Sequence, residues 1–142
     1  MSDCIFCDII AGQSASSIVY EDDLAVAFMD IQPVNTGHVL VVPREHATYL
    51  SDMDEETGAQ LFRVAMRVQE AIRRSGVRCE GVNLFLADGE AAGQEVFHVH
   101  LHVFPRFVGD TFKLEGDQSV FPPRQELEEV AGKIKGAMGN NT

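Results

Sequence analysis

The chain has 142 residues, 45% of them hydrophobic and 23% charged, the size and composition of one globular domain with a buried core. Its formal charge of −11, from 22 acidic against 11 basic residues, argues against a nucleic-acid-binding surface but leaves room for a small anion held by local donors. No apolar run approaches the roughly 20 residues of a membrane span, and Met1–Phe6 lacks the pattern of a secretory leader, so a cytoplasmic protein without a membrane partner is expected.

Cys4–Ala11 reads as a short helix closed by Gly12, with Cys4 and Cys7 three residues apart. An odd count of three cysteines does not make a disulfide framework, so Cys4-x-x-Cys7 points to metal or to redox chemistry. Ile18–Glu21 and Leu24–Met29 are apolar runs separated by Asp22-Asp23, the pattern of a hairpin. The turn-rich segment 30–37 leads into His38–Val42, a β-branched run stopped by Pro43.

The clearest helix spans Asp54–Ser75, where Leu61, Val64, Ala65, Val68, Ala71 and Ile72 recur at the spacing of one buried stripe. Acidic residues open it and Arg73, Arg74 and Gly76 close it, as the helix dipole favours. Val82–Leu86 is a further strand. A small-residue loop, 88–93, precedes Val96–Phe104, which alternates as a strand does. Past Pro105 the pattern loosens until a weaker helix, Pro123–Met138. The sum is α+β: a mostly antiparallel sheet with one long helix, a short N-terminal helix and a C-terminal helix.

His98-Val99-His100-Leu101-His102 carries the chemistry. Alternation puts three imidazoles on one face, about 6.6 Å apart along a strand, and Val99, Leu101 and Val103 on the other. Packing alone would be better served by an apolar face. Two functional readings follow: a metal site built of imidazoles, or nucleophilic catalysis in which one ring attacks and its neighbours fix its tautomer.

Together with F-M-D-I-Q-P at 28–33, G-H-V-L-V-V-P at 37–43 and the loop 88–97, the H-V-H-L-H-V-F segment resembles the histidine triad (HIT) family over roughly Cys4–Asp110. That resemblance implies a HIT-like fold in residues 1–110, with 111–142 as a C-terminal tail carrying a helix. It implies a hydrolase or transferase acting at the α-phosphate of a nucleotide conjugate, such as a dinucleoside polyphosphate or a nucleoside phosphoramidate. A nucleotide-binding regulatory module with little catalysis is the alternative.

Residue by residue, the resemblance makes His100 the nucleophile, with His102 at the phosphate, His38 supporting the triad and Gln94 contacting phosphates or leaving group. It places Asp30 on the ribose, Phe6 and Ile31 against the base, and Gly93, Glu95 and Val96 along the phosphates. Cys4, Cys7, His46 and His98 match the structural zinc site of some members, and a homodimer is implied. Glu95 stands where the phosphoramidase branch has serine, and Ala87 where relatives carry an amide. The stretch 104–110 looks more like the branch acting on dinucleoside polyphosphates.

Overall fold

The computed structural model describes residues 2–139. Its backbone divides into two compact units, Met1–Thr111 and Phe112–Thr142. The first contains a five-stranded antiparallel sheet of order β1-β2-β3-β5-β4, built from β1 (Ile18–Glu21), β2 (Ala25–Met29), β3 (Val39–Pro43), β4 (Gly81–Phe85) and β5 (Leu101–Arg106). Helix α1 (Ile5–Ile10) opens the chain and α2 (Glu55–Arg74) joins β3 to β4.

Period-two alternation sorts the central strands onto two covered faces. Ala25, Ala27, Val39, Val41, Val99 and Val103 turn toward α2, meeting Leu61, Val64, Ala65, Val68 and Ile72. Val26, Phe28, Leu40 and Val42 turn the other way and pack with Phe6 and Ile9 of α1. Both faces being apolar explains why β2 and β3 read as continuous hydrophobic runs. Asp54 caps α2, its Oδ1 accepting from Thr57 N at 2.7 Å, and Gly76 leaves it at φ +90°. Ala71, expected in the buried stripe, stays exposed at its margin.

The last strand is displaced from its expected span of 96–104. It pairs only over Leu101–Arg106, and includes Pro105, which sits opposite Val82. Ahead of it, Val99 N donates to Ala47 O at 2.8 Å instead of extending the ladder with β3, which ends at the pair Val41–Leu101; the register would next set Val99 opposite Pro43, a residue with no N–H. The alternation of faces nevertheless persists: Val99 and Val103 are in the α2 core, while His98 and His100 lie against Phe6 on the α1 side.

The second unit carries α3 (Arg124–Met138), begun after Pro123, with none of its residues buried. Among the described residues, no helix is long and apolar enough to cross a membrane.

Candidate active site and metal centre

Cys4 is the N-cap of α1 and Cys7 lies in its first turn, so one short helix end presents both thiols. His46 follows β3 and His98 precedes β5, and the two chain segments bring their rings to 4.9 Å between centroids. The Cys4 and Cys7 sulfurs lie 3.4 and 3.6 Å from His98 Nδ1, and Cys7 Sγ lies 3.3 Å from His46 Nδ1. All four donor atoms fall within 4.8 Å of one another. Tetrahedral zinc with ordinary Zn–S and Zn–N bonds has S···N edges of about 3.6 Å, so the donor set fits that ion and leaves no open position.

The outer contacts agree. His98 Nε2–H donates to Pro43 O at 2.9 Å, which directs the Nδ1 lone pair at the thiols, and His46 Nε2 meets Thr48 Oγ1 at 3.2 Å. Burial first, then the hydrogen bond and charge of Cys4, push the Cys7 thiol up to about 11, so a cation is what would ionise Cys7 at neutral pH. A redox pair has no use for two imidazole lone pairs aimed at its sulfurs.

The carbonyl of His98 reaches the next histidine. His100 Nδ1–H donates to His98 O at 2.8 Å, so the lone pair of the neutral ring sits on Nε2. His100 is only 7% exposed, with the Phe6 ring edge-on at 5.1 Å and His102 at 4.9 Å.

His102 is set the opposite way. Val34 N–H, which can only donate, points at His38 Nδ1 at 3.0 Å. The proton of neutral His38 is therefore on Nε2, from which it is donated to His102 Nδ1 at 2.9 Å. His102 in turn carries its proton on Nε2. Two neighbouring imidazoles thus offer a lone pair and an N–H, the complement of an electrophile and its oxyanion.

Burial lowers both partners, His102 to about 4 with the charges of His100 and His38 adding, and lowers His98 as well. Asp30 Oδ2 lies 3.4 Å from His38 Nε2, and its Oδ1 accepts from Gln32 N. Asp30, His38 and His102 converge closely enough for an ion. The Val34 N–H decides against one, because a metal on His38 Nε2 would leave a proton on Nδ1 facing that donor.

Two of the expected contacts are placed differently. Gln94 is buried, with Nε2 donating to Thr48 O and Val96 O at 2.8 and 3.2 Å, and Oε1 accepting from Gly89 N at 2.7 Å. Its amide is spent on the main chain, so it clasps the loop to the segment after β3 and has no N–H left for a phosphate. Ile31 is 92% exposed on the turn after Asp30. Phe6 is held at the triad by Phe28 and His100, and Val96 packs beside it. Gly93 takes φ +90° with no neighbour a Cβ would meet, so it is there for its backbone angle. Glu95 is exposed and Ala87 is buried.

Three participants escape a reading of side-chain types. Val34 acts through its amide. Thr48 joins His46 to Gln94, through its hydroxyl and its carbonyl respectively. Phe85, on β4, flanks His102 at 5.7 Å. A cleft of about 450 Å³ on the α2 side, lined by residues such as Met29, Val39, Val68 and Ile72, is apolar and gathers no such groups.

Residues 11–109 match the family model of the HIT domain. The chain belongs to the histidine triad family. A HIT-like protein of Borreliella burgdorferi is 46% identical over 135 residues, covering 94% of this chain and 97% of that one. Among solved structures, a Zn-bound histidine triad family protein from Mycobacterium smegmatis is 37% identical, with TM-score 0.75 and coverage of 95% and 97%. A histidine triad nucleotide-binding protein from Candida albicans superposes at TM-score 0.87 with 26% identity, covering 99% of this chain and all of the other. The five-stranded sheet and its helices are thus the HIT fold.

Proposed function

We propose that this HIT protein cleaves nucleotide conjugates at the α-phosphorus through a covalent nucleotidyl-His100 intermediate. The observation that carries this reading is the hydrogen bond from His100 Nδ1 to His98 O, which leaves an Nε2 lone pair beside the N–H of His102. His100 Nε2 attacks Pα; the Nε2–P bond forms as the bond to the leaving group breaks, and the electron pair departs with that group. His102 Nε2–H donates to a non-bridging phosphate oxygen as charge builds there. Water then attacks Pα, breaks the N–P bond, loses a proton to solvent and restores neutral His100.

Asp30, half-buried beside His38, offers its carboxylate to ribose hydroxyls, and Phe6 forms an apolar wall beside the triad. Cys4, Cys7, His46 and His98 hold a structural zinc in this reading; the Zn-bound M. smegmatis relative supports it. The substrate is a small nucleotide, and the working form a homodimer of residues 1–110 with the tail 111–142 appended.

The test is a panel of dinucleoside polyphosphates and nucleoside phosphoramidates run on the wild type and His100→Ala. The variant is expected to fold, to bind nucleotide and to lose turnover by at least about 10³-fold, as removal of a covalent nucleophile does. Near-normal hydrolysis by His100→Ala contradicts the mechanism.

A further inference from the structure

Resting on that reading, we infer that Asn35 is a positioning residue for the triad: its side chain, clamped to the end of β5, holds in place the main-chain N–H of Val34, which aims His38 at His102. Side-chain packing does little to keep that N–H 3.0 Å from His38 Nδ1, because Ile31, Gln32, Pro33 and Thr36 around it are exposed. Polar ties do the holding. Asn35 Nδ2 donates to Pro105 O and to Asp110 Oδ2, each at 2.9 Å, so both amide hydrogens are used. The Asn35 carbonyl accepts from His38 N at 3.2 Å, which closes the turn onto the histidine. Gly37, at φ +101°, lies against the same proline: a Cβ there would come within 3.2 Å of the Pro105 ring and 2.9 Å of Val77.

The anchor is itself a closed ion pair. Asp110, its side chain 3% exposed, accepts from Arg106 Nε and Nη2 at 2.7 and 2.8 Å and from Phe107 N at 3.1 Å. Arg106 Nη1 donates in turn to Asn83 Oδ1 on β4 at 2.8 Å. The Arg106 hydrogen bonds hold the Asp110 carboxyl well below the usual carboxylate range, so it stays an acceptor for Asn35 across the neutral range.

What the clamp decides is which acceptor His38 serves. Its Nε2–H has two within reach, His102 Nδ1 at 2.9 Å and the Asp30 carboxylate at 3.4 Å. A carboxylate is the stronger acceptor, so a ring free to turn goes to Asp30. The Val34 N–H on Nδ1 holds the ring on His102 instead. His102 then has one tautomer, with its Nε2–H offered to the phosphate; without that donor its proton exchanges between the two nitrogens, and a lone pair faces the oxyanion for part of the time.

The experiment is NMR of ¹⁵N-labelled protein at pH 7, reading the couplings transmitted across N–H···N hydrogen bonds, beside kcat and KM on whichever conjugate of the panel the wild type turns over. The wild type should couple Val34 N to His38 Nδ1 and His38 Nε2 to His102 Nδ1, with His102 as the single Nε2–H tautomer. Asn35→Ala should lose both couplings and show mixed tautomers at His102. Because outright loss of an oxyanion donor costs about 10²- to 10³-fold, and the mixed ring keeps its donor for part of the time, kcat should fall at least about 10-fold with KM nearly constant. Asp110→Asn, which leaves too few acceptors for Arg106 and Asn35 together, carries the same expectation where Asn35→Ala does not fold. Gln94→Ala, which loosens the opposite side of the site, should keep both couplings; their loss there too marks general loosening and overturns the role of Asn35. Couplings absent from the wild type, or intact in folded Asn35→Ala, overturn it as well and leave the covalent mechanism standing. A wild type that turns over none of the panel overturns the enzymatic reading, while the couplings still decide how His38 is held.

Discussion

Replacing Gln94 by alanine separates a loop clasp from a phosphate ligand. The substitution removes three hydrogen bonds, stranding Gly89 N–H, Thr48 O and Val96 O. A buried polar group left without its partner costs about 1–3 kcal/mol. Those three residues are themselves only half-buried, so water can rescue part of the loss and a total of about 2–3 kcal/mol is the reasonable expectation. For a chain of this size that lowers the melting temperature by roughly 6–12 °C. Gln94→Glu should do comparable damage, since a carboxylate keeps the bond from Gly89 N but faces two carbonyls with no proton to offer. The assay is thermal unfolding by circular dichroism beside steady-state kinetics. Melting within 2 °C of the wild type, combined with a raised KM, would show the amide on the substrate and refute the clasp.

The metal centre predicts one zinc per chain by elemental analysis, lost together with thermal stability in Cys7→Ser; full zinc in that variant would contradict the ligand set. Phe6→Ala should cost about 3–5 kcal/mol, since the ring fills the space between Phe28 and His100, and chemical denaturation reads this directly. Acid should destabilise the protein on a defined schedule. His102 has a folded pKa of about 4 against an ordinary 6.5, and His38 and His98 shift in the same direction. The unfolded chain therefore binds more protons in that window, and the contribution of these groups is whole above pH 6.5 and lost as pH falls toward 4. Denaturant melts from pH 7 to pH 4 should show this slope, and His102→Asn should flatten it.

Much of this was written in the sequence, in segments where one physical rule acts alone. The stripe of α2 obeys helical spacing, and its start at Asp54 is where a side chain that can cap meets a run that needs one. The cluster of Cys4, Cys7, His46 and His98 was visible because two thiols and two imidazoles are scarce residue types with few other uses together. The start of β5 is less legible, because alternation continues through His98–His100 where ladder pairing is absent; the pattern reports faces, and where pairing starts depends on Pro43 and Ala47. The role of Gln94 was hidden because an amide that bonds three main-chain groups has the same letter as one that binds phosphate. Val34 could not be found at all from its side chain, since its part is played by an N–H that nearly every residue owns.

The central claim, two successive displacements with His100 between them, is tested most directly by stereochemistry at the α-phosphorus. A substrate with a chiral, isotopically labelled α-phosphorothioate would be hydrolysed and the configuration of the product determined. Two in-line attacks, first by His100 Nε2 and then by water, give net retention. Net inversion would mean that water attacks Pα once and directly, and His100 would lose its place as the nucleophile.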